Sequence, residues 1–423
     1  PMPSVLSKRR KETMETKTSE AVLKQYFLQG CKAEGTFRIG LEVEHFVLNR
    51  KNHKPMAFNG KEGVAGLMES LAPNYPEKHM EDGAVISLES DDILITLEPG
   101  CQIEISTAPF ASVEKTVNLY HGARAQIEEK LEPLGYALAA EGYLPYGRAE
   151  DVALIPKQRY QCMDEYFKNT GIYGKNMMRA TAACHVSVDY FSEADFVKKY
   201  RLAWLLNPLL AFLTENVSAF EDEPFTGHLL RDRIWQGVDA ARTGVCPDLF
   251  EESFGFGAYA RWLLNVPVIV VNEGGHYKYE PEKTIGDCFE TYGSGEDLIR
   301  HYLSMVFPDI RLKQFIEIRS ADSMPELYVR AYCCLIKGIF SDTETVERML
   351  KVLPQRIEAI DGAKECLKKD GYGAMVYGQQ IDRLLLWILR EAAANLGKDE
   401  AEMLKFWYPL VENKVSIQGV NEK

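Results

Sequence analysis

Phe37-Arg38-Ile39-Gly40-Leu41-Glu42-Val43-Glu44-His45-Phe46-Val47-Leu48 alternates along most of its length, the period-2 pattern of a half-buried strand. Successive strand side chains point to opposite faces, so Glu42 and Glu44 share one side with Arg38, and Leu41, Val43 and Val47 take the other. Residues 93–97 and 103–107 alternate in the same way around Pro99-Gly100, which predicts a hairpin. On it Glu104 shares a face with Gln102, and Glu98 stands just across the turn. Residues 182–190 and 313–319 predict two further strands, the second carrying Glu317 on the same face as Lys313 and Arg319.

Helical spacing surrounds these strands. An amphipathic helix is expected from residue 21 and another over 112–131, while Ser192-Glu193-Ala194-Asp195 resembles a capping box opening a long apolar helix to about residue 215. From Glu326 onward the spacing is helical almost throughout, with a second capping-box pattern at residues 341–344 and no strand. Strands mixed with helices first and helices last predict an α+β fold with a largely antiparallel sheet. We read one catalytic domain: a frayed segment 1–18, a sheet-bearing core 36–325 and a helical part 326–413.

Composition narrows the function. Hydrophobic residues at 46% and charged residues at 26% suit a globular chain with a sizeable core. A net charge of -13 without a basic stripe argues against nucleic-acid binding. The basic cluster Lys8-Arg9-Arg10-Lys11 leads into polar residues, so no signal peptide is expected, and Pro1 ahead of Met2 is read as a remnant of expression. The longest apolar runs contain prolines and fall short of the ~20 residues that cross a bilayer. The 9 cysteines form no CxxC pair, which suits free thiols in a reducing cytoplasm.

Several carboxylates on apolar strands need compensation, because each buried unpaired charge costs several kcal/mol and like charges repel. An oxygen-only cluster of this kind suits magnesium or manganese. Zinc is not expected, since His45 and His185 come without His/Cys ligand spacing. Gly255-x-Gly257-x-x-Ala260 lacks a preceding strand and there is no GxxxxGK[ST], so a bound nucleotide would be held by metal-bridged phosphates and arginines.

Three segments, Arg38 to Glu44, Ile95 to Glu104 and Phe315 to Asp322, resemble the signature strands of the plant-type glutamate–cysteine ligases. Between them, Arg231-Asp232-Arg233-Ile234-Trp235 with Asp239 and Arg242-Thr243-Gly244 resembles that family's arginine-bearing loop, and Phe307 to Lys313 resembles the lead-in to its last acidic strand. The resemblance implies a glutamine-synthetase-like, curved antiparallel sheet. It also implies ATP-driven joining of the glutamate side-chain carboxylate to the amine of cysteine through an acyl phosphate, with Mg2+ (or Mn2+) as cofactor. By position, Glu42, Glu44, Glu98, Glu104 and Glu317 correspond to the metal-binding acids; Arg231, Arg242 and Arg319, with Lys313, correspond to the groups that hold phosphates and glutamate. His185, Ser187 and Gln102 are candidates for the substrate pocket. If Glu317 is a metal ligand, Glu317→Gln should leave the metal-free protein at least as stable as the parent.

The chain departs from the family pattern at three places. Leu41 replaces a threonine; Cys101 stands where a second glycine follows Glu-Pro-Gly, and cysteine adopts positive φ only at a cost. His185 stands where glutamine is common, which opens the alternative of a different acceptor amine. A non-catalytic binding protein of the same fold is the remoter alternative. The expected partners are small molecules only, with no nucleic acid and no membrane, and the chain is expected as a monomer or homodimer.

Overall fold

A computed structural model describes residues 18–421; the basic cluster and most of the segment expected to fray lie outside them. Nine strands form one antiparallel sheet. In chain order they are β1 (Ile39–Asn49), β2 (Glu77–Glu81), β3 (Ala84–Glu89), β4 (Ile93–Leu97), β5 (Ile103–Thr107), β6 (Tyr136–Ala139), β7 (Ala183–Val188), β8 (Ile310–Leu312) and β9 (Ile316–Asp322). Their order across the sheet is β8-β9-β7-β1-β5-β4-β3-β2, with β6 pairing along the second half of β1.

Register decides what the sheet presents. Glu42 is opposite His185, Glu44 is opposite Glu104, and Glu104 is opposite Thr96. Glu317 is opposite Ser187 on one side and Arg311 on the other. A register shift between Ile318 and Ala321 interrupts β9 next to Arg319, the kind of irregularity that re-aims a side chain. One face thus collects the ionisable groups.

The opposite face is apolar and covered. Leu41, Val43 and Val47 are buried beneath the helices Val113–Leu131 and Glu326–Phe340, and Glu193–Leu213 packs on β9. His45 lies on this side, fully buried and bonded to the Tyr120 hydroxyl at 2.8 Å. Burial pushes its ring down to about 3, so it is a neutral core histidine.

Sequence and structure part at the margins. Strands β2, β3, β6 and β8 were not expected; β2 reads Glu-Lys-His-Met-Glu, almost wholly exposed, so it carries no apolar alternation, and β8 has only three residues. Lys313 lies in the turn between β8 and β9, its N–H donating to the Phe315 carbonyl at 2.8 Å, and is outside the strand. Ser192 does cap its helix, but the Asp195 carboxylate accepts from the Phe191 N–H instead of completing a box. The cap of Thr343–Val352 is Asp342, one residue beyond Ser341. Beyond Glu326 the helices are interrupted by a two-plus-two hairpin, Met375–Val376 with Gln379–Gln380.

Asp322, at the end of β9, is buried and accepts the Asn216 N–H at 2.9 Å. A Cβ on Gly142 would sit 2.2 Å from its carboxyl carbon, so this contact requires glycine. Burial raises the Asp322 carboxyl to about 7. The folded chain therefore holds a proton that the unfolded chain releases near pH ~4, and stability should fall as pH rises from there to about 7. Asp322→Asn should flatten that part of the pH profile, measured by urea denaturation at several pH values; an unchanged slope would mean that Asp322 is ionised in the folded state.

Candidate active site

The polar face of the sheet opens into a cavity of about 270 Å³. Glu42, Glu44, Glu98 and Glu104 line it together with Lys157, Arg159, Arg231, Arg311, Lys313 and Arg319. The acids come from β1 and the β4–β5 hairpin and the cations from other elements, so one cavity has an acidic wall and a cationic wall.

The acids differ sharply among themselves. His185 Nε2 lies 3.3 Å from Arg231 Nη2, which can only donate, so the ring proton sits on Nδ1 and is given to Glu42 Oε1 at 2.5 Å. Burial pushes the Glu42 carboxyl up, but the His185 contact outweighs it and holds Glu42 down at about 2. Burial and Arg319 together push His185 to about 4, consistent with a neutral ring. Glu44 accepts the Ala183 N–H at 2.9 Å, yet burial and then Glu98 raise it to about 8. Glu98 is raised by burial against the pull of Lys157. Glu104 is raised well above the usual carboxylate range by burial and then by Glu42, although Thr96 and Ser106 donate to it at 3.0 and 3.2 Å.

The turn carrying Glu98 is built tightly. Gln102 accepts the Gly100 N–H at 2.8 Å and donates to the Thr181 carbonyl at 3.0 Å, so both ends of this side chain are committed and it braces the turn. A Cβ at Gly100 would meet the Arg179 carbonyl at 2.5 Å. Cys101 adopts φ 67°, the left-handed conformation that costs a non-glycine residue roughly 1–2 kcal/mol.

Three expected site residues stand elsewhere. Glu317 is 1% exposed and does not line the cavity. Its oxygens accept from Arg311 Nε at 2.6 Å, Lys313 Nζ at 2.8 Å and Arg319 Nη1 at 3.4 Å. Burial opposes ionisation, but Arg311 and then Lys313 hold the Glu317 carboxyl well below the usual range; it is an ion-pair hub behind the cationic wall instead of a fifth member of the acidic one. Arg242 is fully buried, with Nε on Asp239 at 2.6 Å, Nη1 on the Met305 carbonyl at 2.8 Å and its guanidinium over the Tyr166 ring at 4.7 Å. The short helix Ala240–Thr243, capped by Asp239, folds Arg242 back onto its own cap and away from the cavity. Ser187 lies between Gly40 and Glu317 in the sheet and is not among the cavity-lining residues.

The sequence reading missed Lys157, Arg159, Tyr160, Trp235 and Arg311. The first three sit at the start of the helix Gln158–Phe167, where a basic and aromatic cluster is the only signal. The Arg231 and Arg319 guanidinium carbons both lie over the Trp235 ring, 5.4 and 5.6 Å from its centre, within cation–π range. The Trp235 Nε1 and Arg231 Nη1 donors are buried with no partner among the described residues. Oxygen atoms of Glu42 and Glu44 and a nitrogen of His185 lie within 4.8 Å of one another, close enough to share a cation.

Comparisons with known proteins follow this geometry. The glutamate–cysteine ligase of Arabidopsis thaliana, a chloroplastic enzyme, is 30% identical over 341 residues, covering 77% of this chain; that of Brassica juncea is 31% identical over 337 residues, again 77% of this chain. The chain spans 63% and 64% of the length of those two relatives. Among solved structures, glutamate–cysteine ligase from Francisella tularensis matches 90% of this chain and 82% of its own at 11% identity and a TM-score of 0.48. The model of glutamate-cysteine ligase family 2 matches residues 38–405, which contain every strand of the sheet and the whole cavity, and the chain belongs to that family.

Proposed function

We propose that the chain joins the side-chain carboxylate of glutamate to the amine of cysteine at the expense of ATP. The carrying observation is the cavity itself, lined by four acids and six cations. Phosphoryl transfer requires charge neutralisation and alignment more than a protein nucleophile, and this lining offers both. In the reaction the γ-phosphoryl group passes to the glutamate carboxylate and ADP leaves. The amine nitrogen then attacks the acyl carbon, the carbon–oxygen bond to phosphate breaks, and the amine gives up a proton.

The donor set fits a hard divalent cation: oxygen atoms dominate, and burial disfavours the charged forms of Glu44 and Glu104 unless a cation compensates them. We assign magnesium, with manganese able to replace it, to Glu42, Glu44, Glu98 and Glu104. When bound, the ion supplies neutralisation of phosphate charge. Arg231 and Arg319, both against the Trp235 ring, present donors to phosphate or carboxylate oxygens, and Lys157 and Arg159 add cations from the helix start. Arg242 supports this wall through Asp239 and Met305 and touches no substrate in this reading. Cytoplasmic placement as a monomer or homodimer belongs to the same proposal; the spacing of the cysteines, without a CxxC pair, suits a reducing compartment.

Phosphate release in the presence of magnesium, ATP and glutamate tests the proposal. Release that depends on cysteine supports it; release that depends on another amine moves the acceptor assignment; no release with any amine sinks the enzyme reading. The position of His185 in the lining, bonded to both Glu42 and Arg231, keeps the other-amine reading in view. His185→Gln retains one donor and one acceptor, and should change the kcat/KM ratio between cysteine and competing amines by roughly tenfold. An unchanged ratio across an amine panel would mean that His185 does not read the acceptor.

A further inference from the structure

Behind the turn that carries Glu98 lies a second cavity of about 760 Å³. Gly100 and Cys101 form part of its wall, while Glu98, Pro99 and Gln102 of the same turn line the first cavity. A second element is shared in the same way. Val152, Leu154 and Pro156 line the larger cavity, and the residues that follow, Lys157, Arg159 and Tyr160, line the smaller one.

The shared elements are tied to each other. The Ile155 N–H donates to the Pro99 carbonyl at 3.0 Å and the Tyr160 hydroxyl donates to the Leu97 carbonyl at 3.0 Å. Arg179, whose backbone packs against Gly100, donates to the Val152 carbonyl at 3.0 Å. A body seated in the larger cavity therefore presses on both elements that carry Glu98 and Lys157.

Its lining is chiefly apolar, including Met56, Phe58, Leu144 and Leu154. The charged groups are unequal. Arg148 faces Glu150 at 3.4 Å and Glu221 at 3.8 Å, Asp222 accepts the Gly147 N–H at 3.0 Å, and Asp151 is exposed to solvent. Lys54, exposed to solvent like Asp151, makes no ion pair and its side chain no hydrogen bond among the described residues, so it is the lining cation without an acid beside it. At the rim the rings of His53 and Tyr146 stack at 4.4 Å, with Tyr146 48% exposed. Apolar walls with a few polar groups, within the ~300–1,000 Å³ range, are the usual make-up of a small-molecule site.

We propose that this cavity is a second ligand site for a small amphipathic organic anion with a planar apolar body, and that its occupancy is felt in the first cavity through the shared turn. The coupling half rests on the first cavity being the nucleotide site proposed above; the binding half does not.

The full chain titrated with 1-anilinonaphthalene-8-sulfonate should bind one dye per chain with enhanced fluorescence. Lys54→Glu reverses the unpaired cation and Ala153→Trp fills the space from an exposed lining position; each should weaken the dye by roughly tenfold or more without changing the melting temperature. Saturating magnesium–ATP should shift the dye's dissociation constant several-fold without expelling it, and the dye must shift that of ATP by the same factor. Unchanged dye affinity in both variants, or complete expulsion of the dye by ATP, overturns the site. An unshifted constant overturns the coupling. Neither readout uses turnover, so failure of the ligase reading, seen as absent phosphate release, is a separate result.

Discussion

Glu317→Gln is expected to cost about 3–5 kcal/mol of folding stability, the usual loss when one partner of a buried ion pair is removed. The neutral amide keeps one acceptor oxygen but no charge, so Arg311, itself 6% exposed, loses its counter-ion, as do Lys313 and Arg319. Arg311 keeps its bond to the Val306 carbonyl at 3.1 Å, which satisfies one donor and neutralises no charge. This reverses the expectation drawn from strand alternation, under which the metal-free variant would be as stable as the parent. Thermal or urea denaturation without metal decides between the two. A variant as stable as the parent, but with a smaller thermal shift from magnesium–ATP, would return Glu317 to the metal set.

Glu104→Gln should behave in the opposite manner. Burial and then Glu42 raise Glu104 well above the usual carboxylate range, which disfavours its charged form without metal, and glutamine reproduces the neutral form. The amide oxygen can still accept from Thr96 and Ser106. Stability of the metal-free variant should therefore match or slightly exceed that of the parent. Turnover should fall by roughly a hundredfold or more if the carboxylate is part of the electrostatic machinery, and the magnesium–ATP thermal shift should shrink, because ligand stabilisation follows affinity. Near-normal turnover with a full thermal shift would remove Glu104 from the site.

The contrast between these two glutamates shows how far the sequence could be read. Strand alternation places both on one face, and both do fall there: Glu104 faces Glu44, and Glu317 faces Ser187. Alternation cannot say what sits across the next hairpin. Arg311 lies opposite Glu317 only because the β8–β9 turn is short, and that pairing converts a candidate ligand into an ion-pair hub. Arg242 was misread for a related reason, since one helical turn after Asp239 suffices to fold it inward.

The central strands were legible because each buries one face and leaves the other polar, as β1, β4, β5 and β7 do. Their resemblance to glutamate–cysteine ligase strands is borne out by the family match. The outer strands were not legible, since β2 has no buried residue to set a period. Lys157, Arg159 and Tyr160 enter the cavity from a loop and a helix start, where no periodicity points to a common site. At Cys101 the sequence left the backbone conformation open, and the residue keeps the positive φ of the glycine position in spite of its side chain.

The central claim is that the acidic and cationic walls together activate a carboxylate by phosphoryl transfer. Product analysis with magnesium, ATP, glutamate and cysteine tests it most directly. The account predicts γ-glutamylcysteine, ADP and inorganic phosphate in equal amounts; AMP and pyrophosphate in their place would mean that the carboxylate is adenylated, and would contradict it.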